Sequence, residues 1–226
     1  MLTNGGSEAI ALVAAHERAG HVVDPEFSLY ARHLEHLDPL APRWRSNPSN
    51  PLGQLASATD AAGVWDEAFY PLATGEWTRG DDACWRLGSL TKLWNCPGLR
   101  LGYVIAPDEV AARAMRERQP AWAVNGLALA VLPRLLDMTD LATWQGMIAA
   151  ARHQLIAALR PLGFALTDTC ANWVLVDRPG LRSDLARHGI VVRDCASFGL
   201  AGIHRVAIPA PAELDRVVAA FAAVGP

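Results

Sequence analysis

Short apolar runs alternate with turn signals along the first half of the chain, and this pattern predicts buried strands. The runs are His21-Val22-Val23, Gly63-Val64-Trp65 and Leu101 to Ala106. A largely parallel sheet is the simplest structure for runs of this kind. Before the first run, the Gly-rich turn Thr3-Asn4-Gly5-Gly6-Ser7-Glu8 leads into an Ala-rich helix, which we expect to end at Gly20.

Helical periodicity dominates the middle of the chain. It predicts helices over residues 108–118 and 141–159, with breaks at Gln119-Pro120 and Asn125-Gly126 between them. After residue 163 the pattern returns to short strands near 164–167, 173–177, 190–193 and 204–207, with helices near 183–188 and 212–223. We therefore predict two α/β units, a larger domain over residues 1–115 and, over residues 116–226, a bridging helix with a smaller C-terminal domain.

Composition and charge narrow the class of protein. The chain has 226 residues, of which 51% are hydrophobic and 19% charged, and this predicts an ordered globular protein with a sizeable core. A net charge of −3 and a pI of about 6.1 offer no broad basic surface, so we expect no nucleic-acid partner. Without a long apolar run we expect no membrane contact. Four widely spaced cysteines predict reduced thiols, a cytoplasmic location and no metal site.

The segment Ser89-Leu90-Thr91-Lys92, followed by Arg100 eight residues after the lysine, carries the most specific chemistry. An amine that attacks a carbonyl must be unprotonated, and desolvation or a neighbouring cation favours that form. Hydroxyl groups and a guanidinium suit a phosphate. The segment therefore suggests an aldehyde cofactor that carries a phosphate, pyridoxal 5′-phosphate (PLP), held by Lys92. A solvated loop position is the alternative for a lone lysine.

Three positions before Lys92 could contact such a cofactor. Asp66 directly follows the predicted strand Val64-Trp65, where a carboxylate could pair with a protonated pyridine nitrogen, although an ordinary helix N-cap is the alternative. Asn50, in the turn-rich segment from Asn47 to Gly53, could donate to a phenolate oxygen or belong to a plain loop. Phe27 could stack on the cofactor ring or belong to the core.

Anion-binding positions are also predicted at the two ends of the chain. Backbone amides at the start of the first helix, after Gly6 and Ser7, could bind a phosphate. In the second unit, Arg193 and Arg205 each lie beside a short predicted strand, and a guanidinium matches a carboxylate or a phosphate. A surface ion pair is the alternative for each arginine.

The order of these elements resembles that of the fold-type I PLP enzymes, the class I/II aminotransferase family, from about Asn4 to Phe221. Residues 89–103, 119–125 and 192–200 look most like the threonine-phosphate decarboxylases of cobalamin biosynthesis, and the histidinol-phosphate aminotransferases are close relatives. The resemblance implies an α/β protein with the aspartate aminotransferase-like PLP-dependent transferase fold. That fold has a mainly parallel mixed sheet in the larger domain, a smaller C-terminal α/β domain and a homodimeric assembly.

The resemblance also implies roles for single residues. Lys92 would carry the cofactor aldehyde, and Asp66 would pair with the pyridine nitrogen. Asn50 would meet the ring hydroxyl, and Phe27 would cover the ring face. The residues expected around the cofactor phosphate are Gly6, Ser7, Ser89, Thr91 and Arg100. Those expected at the substrate end are Arg205, which would hold the carboxylate, with Arg193 or Asn172.

The resemblance implies a decarboxylase that converts L-threonine O-3-phosphate, a small phosphorylated amino acid, to aminopropanol phosphate. An aminotransferase of the histidinol-phosphate type and a shortened homologue without catalysis are the alternatives. Phe69 stands where such aminotransferases have a tyrosine, so one contact to the ring hydroxyl is expected to be missing unless Tyr70 supplies it. We also expect no N-terminal arm. Only sixteen residues separate Tyr30 from Asn47, where the family has a longer stretch.

Overall fold

The computed structural model describes all 226 residues and contains two β-sheets with helices packed against them. The strands are β1 (Leu2–Asn4), β2 (Ala19–Val22), β3 (His36–Leu37), β4 (Arg43–Ser46), β5 (Val64–Asp66), β6 (Trp85–Gly88), β7 (Leu101–Ile105), β8 (Ala165–Thr167), β9 (Trp173–Asp177), β10 (Arg193–Asp194) and β11 (Ile203–Ala207). The helices are α1 (Gly5–Glu17), α2 (Leu29–His33), α3 (Tyr70–Thr74), α4 (Leu90–Leu93), α5 (Glu109–Arg118), α6 (Gly126–Asp137), α7 (Leu141–Leu159), α8 (Leu181–Ala186) and α9 (Leu214–Val224).

The first sheet has seven strands in the order β1-β7-β6-β5-β4-β2-β3. Strands β2 to β6 pair in parallel, whereas β7 is antiparallel to both β6 and β1, which confirms the predicted mainly parallel mixed sheet. Helix α1 packs on this sheet through Ala9 and Val13, which share a buried cluster with Trp44, Val64 and Leu87. Because parallel strands end at one edge of a sheet, the loops after β4, β5 and β6 lie side by side.

The second sheet has four antiparallel strands in the order β10-β11-β9-β8. Its own core includes Val174, Val176 and Val206. Helix α7 contacts both cores, because Leu141 packs in a cluster of the first unit and Leu155 packs in the second. The domain boundary near residue 115 stays a prediction. None of the helices combines the length and the apolar character that crossing a membrane requires.

The expected end of the first helix at Gly20 is wrong. Helix α1 ends at Glu17, Arg18 turns the chain with a positive φ of 60°, and Gly20 lies in β2. A Cβ atom on Gly20 would lie 2.6 Å from side-chain atoms of Leu34 and Trp44. Gly20 therefore permits close packing of β2 against its neighbours and does not terminate the helix.

Two other elements differ from the expectation. Asn125-Gly126 does not simply break the chain, because the Asn125 side chain accepts a hydrogen bond from the Ala128 amide at 2.9 Å and thereby caps α6. The strand expected over residues 190–193 is confined to Arg193–Asp194. Ile190 and Val192 are buried in the second core, and this packing accounts for their apolar character.

Candidate functional site

Two adjoining cavities, of about 110 and 170 Å³, lie beside the edge where the parallel strands end. They share four lining residues, Phe27, Asp66, Ala68 and Lys92. The smaller cavity is also lined by Tyr30, Ser46, Pro48, Asn50, Phe69 and Arg205, and the larger one by Gly6, Ser7, Ile10, Ser89, Thr91 and Arg100. Ten of the twelve predicted site residues thus line one or both of these adjoining cavities. Asn172 and Arg193 line neither cavity.

Asp66 is the last residue of β5 and lies in register between Ser46 of β4 and Leu87 of β6. Its Oδ2 accepts a hydrogen bond from the Tyr30 hydroxyl at 2.8 Å, and its Oδ1 accepts from the Ala68 amide at 3.0 Å. Burial and the adjacent carboxylate hold the pKa of Tyr30 well above its usual value, so Tyr30 remains a donor. These two bonds fix the orientation of the Asp66 carboxylate at the cavity wall.

Lys92 is the only lysine in the chain. Apart from the histidines, all other basic residues are arginines. It lies in the short helix α4, and its Nζ is 5.0 Å from the centre of the Phe69 ring. Lys92 takes part in no ion pair of the structure. Since a guanidinium cannot form an imine, a single lysine at the junction of both cavities marks the position where amine chemistry is possible.

The larger cavity is closed at one end by the start of α1 and by Arg100. Gly5 has a positive φ of 77°, and a Cβ there would lie 2.5 Å from Nη2 of Arg100. The Thr91 hydroxyl donates to the carbonyl of Leu101 at 3.0 Å and accepts from its amide at 3.0 Å, which ties α4 to β7. This end of the cavity therefore combines helix-start amides with an arginine, a combination that suits an anion.

The smaller cavity is closed by Arg205 from the second sheet. Its Nη1 donates to Oδ1 of Asn50 at 2.7 Å, and its guanidinium lies 4.7 Å from the centre of the Trp173 ring. Burial lowers the pKa of Arg205, and no carboxylate forms an ion pair with it. Because Arg205 engages Oδ1 of Asn50, the amide nitrogen of Asn50 remains as its side-chain donor.

Three other candidates lie outside the cavity walls. Arg193 is exposed and donates to the Ser197 hydroxyl at 3.1 Å, and Asn172 has a buried Oδ1 without a hydrogen-bond partner. Their roles at the substrate end stay predictions. Tyr70 is buried at the start of α3 and lines neither cavity, whereas Phe69 lines the smaller one.

Sequence reasoning missed Glu26, which is 8% exposed. Its carboxylate accepts hydrogen bonds from the Ser46 amide at 3.0 Å and from the Ser46 hydroxyl at 2.6 Å. Burial, opposed by these hydrogen bonds, raises the pKa of Glu26 to about 7. The sequence shows only a glutamate between Pro25 and Phe27, close to a predicted strand. Its hydrogen-bond partner, Ser46, lies twenty residues further along the chain, so no local pattern indicates the contact.

The charges of the cavity walls limit the ligands that fit. The walls carry three cations, Lys92, Arg100 and Arg205, and one carboxylate, Asp66. None of the three cations is engaged in an ion pair. A ligand whose anionic groups lie at its two ends is therefore favoured. PLP with an amino-acid substrate meets this requirement, because the cofactor carries a phosphate and the substrate carries a carboxylate.

Comparison with known proteins identifies the family of this chain. Residues 45–221 match the family model of aminotransferase class I and II. The histidinol-phosphate aminotransferase of Symbiobacterium thermophilum is 35% identical over 140 residues, which cover 60% of this chain and 38% of that protein. The threonine-phosphate decarboxylase of Salmonella typhimurium is 35% identical over 173 residues, which cover 70% of this chain and 47% of that protein. The chain thus spans about half or less of the length of these relatives.

The fold is also found among solved structures. The histidinol-phosphate aminotransferase from Sinorhizobium meliloti, solved in complex with pyridoxal-5′-phosphate, superposes with a TM-score of 0.79 at 19% sequence identity. The match covers 99% of this chain and 75% of that one. The likeness confirms the predicted aspartate aminotransferase-like fold.

Proposed function

Because this chain belongs to the class I and II aminotransferase family, whose members depend on PLP, we propose that its two adjoining cavities form a PLP site and that it is a PLP-dependent enzyme. One observation carries this proposal, the convergence of Lys92, Asp66 and Arg100 on a single cavity from three different elements. The excess of cations over carboxylates in the walls suits a phosphate-bearing ligand.

The residues present suggest how the cofactor would be held. Lys92 would hold its aldehyde carbon, and Asp66, oriented by Tyr30, would pair with the pyridine nitrogen. Asn50 would donate its side-chain amide to the ring hydroxyl, and Phe27 would lie against the ring. The groups around the phosphate would be those of Gly6, Ser7, Ser89 and Arg100, with Thr91 holding Leu101 next to them.

The proposed reaction is the decarboxylation of L-threonine O-3-phosphate to aminopropanol phosphate. When bound, PLP supplies an aldehyde that takes the substrate amine and a ring that accepts the electron pair of the bond broken at Cα. Arg205 would hold the substrate carboxylate, and its placement decides whether carbon dioxide or a proton leaves Cα. A proton delivered to Cα then replaces the lost carboxylate. Phe69 in place of a tyrosine and the similarity to the Salmonella decarboxylase support this choice.

An aminotransferase of the histidinol-phosphate type is the second candidate. Several of the curated relatives carry that name, among them proteins from Mesorhizobium japonicum and Methylococcus capsulatus. The unpaired amine of Lys92 lies where both cavities meet. In this reading it would carry a proton from Cα of the substrate to the cofactor, and the substrate would keep its carboxylate.

Product analysis separates the candidates. The protein, loaded with PLP, is incubated with carboxyl-labelled L-threonine O-3-phosphate and, in parallel, with histidinol phosphate and a 2-oxo acid. We expect labelled carbon dioxide and aminopropanol phosphate, with no pyridoxamine phosphate, and no product from a Lys92→Arg control. The 2-oxo product of histidinol phosphate together with the amino acid formed from the 2-oxo acid, or pyridoxamine phosphate formed from L-threonine O-3-phosphate in the absence of a 2-oxo acid, would establish the aminotransferase. Bound cofactor without either product would identify a homologue that binds PLP without catalysis.

We further propose a homodimer in the cytoplasm. An apolar groove of about 420 Å³ runs between α3, α4, α6 and α7, and its walls include Trp94, Trp144 and Met147. Its wall residues Met138 and Met147 are each 63% exposed, and an exposed apolar surface of this kind marks an interaction site. All four cysteines are unpaired, which is typical of a reducing compartment.

A further inference from the structure

A buried chain of hydrogen bonds runs from Glu26, behind the wall of the smaller cavity, to Ser46 and Asn50 in that wall. Glu26 lies between β2 and α2, and its carboxylate accepts from the amide and the hydroxyl of Ser46, the last residue of β4. The Ser46 hydroxyl oxygen in turn accepts from the Asn50 amide at 2.8 Å. All three residues are buried, and Glu26 lines neither cavity.

We propose that Glu26 is a positioning residue that holds Asn50, through Ser46, at the wall of the cofactor site. The inference rests on the proposed function, because Asn50 matters for chemistry only if it contacts PLP. Asn50 is held at two points, its backbone by Ser46 and its side chain by Arg205. Glu26 fixes the rotation of the Ser46 hydroxyl and thereby positions the acceptor of the Asn50 backbone amide.

The loop that carries Asn50 depends on this anchor. Pro48 and Pro51 have no amide hydrogen, so Ser49 and Asn50 supply the only backbone donors between them. The Ser49 amide donates within the loop, to the carbonyl of Gln54 at 2.8 Å. Only the Asn50 amide reaches back to the sheet, where Ser46 accepts it. Without the Glu26 contact, the acceptor of this bond is free to rotate away.

The hydrogen bonds from Glu26 through Ser46 to Asn50 can form whether the Glu26 carboxyl group is protonated or not. The titratable groups that face it are Tyr30 from α2 and Asp66 at the end of β5, and no cation forms an ion pair with it. A hydroxyl can donate to a carboxylate or accept from a carboxylic acid, so Ser46 bridges Glu26 and Asn50 in either state. Glutamine at position 26 can make equivalent bonds without a charge.

Hydrogen exchange of single amides, measured by NMR on the cofactor-free protein, tests the link directly. We expect the Asn50 amide to exchange at least tenfold faster in Glu26→Ala, Glu26→Asp and Ser46→Ala, and at the wild-type rate in Glu26→Gln. In the double variant E26A/S46A the Asn50 amide should exchange no faster than in S46A, because both substitutions break the same chain of hydrogen bonds. The Gly53 amide, bonded to the Ser49 carbonyl, is the internal control and should not change. Should E26A fail to fold, E26D and S46A decide.

The dissociation constant of PLP tests the consequence for the site. We expect it to rise at least tenfold in E26A or E26D and to stay within twofold of wild type in E26Q. Leu185→Ala, in the second core, controls for lost stability and should bind as wild type does. The inference would be overturned if E26A or E26D had the same Asn50 exchange rate and the same PLP affinity as the wild-type protein. If the wild-type protein binds no PLP, the proposed function fails. The exchange experiment is independent of that result, because an unchanged exchange rate of the Asn50 amide in E26D would reject the Glu26–Ser46–Asn50 link.

Discussion

Three cations, Lys92, Arg100 and Arg205, line the candidate site without an acidic partner. Lys92 is exposed and Arg100 is half-buried, whereas Arg205 is largely withdrawn from solvent. Burying a charge without a counter-ion is unfavourable, so a group such as Arg205 is stabilised by a ligand that supplies the opposite charge. Arg205 shows the effect most directly, because burial lowers its pKa while its one hydrogen-bond acceptor is the neutral amide of Asn50. At the level of residues, these unpaired cations favour an anionic ligand.

The lone lysine allows a decisive labelling experiment. Borohydride added to the protein with PLP should reduce the lysine imine and leave one cofactor on Lys92, located by peptide mass spectrometry. The N-terminal amine is the only other primary amine, and it donates to the Val104 carbonyl at 2.8 Å. Lys92→Arg keeps the charge and should carry no label. A label confined to Met1, or none, would refute the assignment.

Substitution of Asp66 is expected to lower the turnover rate more than it weakens binding of the cofactor. In Asp66→Asn the Tyr30 bond and the shape survive, but the anion that stabilises a protonated pyridine nitrogen is lost. We expect PLP to remain bound through the phosphate contacts, while kcat/KM falls by about 10²–10³, in line with other electrostatic deletions. Steady-state kinetics with the substrate identified by product analysis measures this. Turnover near the wild-type rate would remove Asp66 from the mechanism.

Glu26 should make stability depend on pH. Its pKa of about 7 in the folded protein lies above the ordinary value of 4.5, so between these values the folded chain holds more protons than the unfolded one. Stability therefore falls as the pH rises through this window. Relative to Glu26→Gln, wild type should lose up to about 3 kcal/mol between pH 4 and pH 8 in urea unfolding. A difference that is constant with pH would show that Glu26 titrates normally.

At the level of elements, the junction of α1 and β7 requires glycine. A Cβ on Gly102 would lie 2.6 Å from the Gly5 carbonyl carbon and 2.7 Å from the Gly6 nitrogen, and both neighbours are backbone atoms that cannot rotate away. Gly102→Ala should destabilise the protein by about 1–3 kcal/mol in urea unfolding, the usual range for overpacking. Gly98→Ala is the matched control, because no atom lies within 4 Å of its Cβ position. Equal stability of the two variants would contradict the packing argument.

Most of the strands that the sequence predicts are short runs of mainly apolar residues, such as Val64-Trp65 and Leu101 to Ala106. Strands β4 and β6 escape such a pattern, because Arg43-Trp44-Arg45-Ser46 and Trp85-Arg86-Leu87-Gly88 mix charged and apolar residues. One of these charges has its partner fifteen residues further along the chain. Arg45 pairs with Asp60 at 2.9 Å, a contact that no local pattern reveals.

The same distinction holds for the candidate site. Residues near Lys92 are predictable because their spacing along the chain matches a chemical need. The hydrogen bond from Tyr30 to Asp66 joins residues 36 positions apart, and the bond from Ser46 to Glu26 joins residues 20 apart. Both depend on the register of β4 with β5, which places Ser46 opposite Asp66. Sheet register is fixed by the whole fold, so a single sequence does not reveal these contacts.

At the level of the whole molecule, the second unit completes the site. Besides the Arg205 contact with Asn50, the Trp173 ring nitrogen donates to the Pro51 carbonyl at 2.9 Å, and the Cys170 amide donates to the Gly53 carbonyl at 2.7 Å. All three bonds hold the loop that follows β4. Movement of the second unit would therefore change the smaller cavity, while the larger cavity, which is lined only by residues of the first unit, keeps its shape.

The exposed apolar groove leads to a prediction about assembly. Sedimentation of the wild-type protein should give twice the monomer mass of 24.3 kDa. Met147→Glu places a charge in the groove wall, and burying that charge at an interface is unfavourable, so this variant should sediment as a monomer. Val191→Glu changes an exposed apolar residue of the second unit, which is 78% exposed against 63% for Met147, and this variant should remain a dimer. A monomeric wild type, or a dimeric M147E, would show that this groove is not the subunit interface.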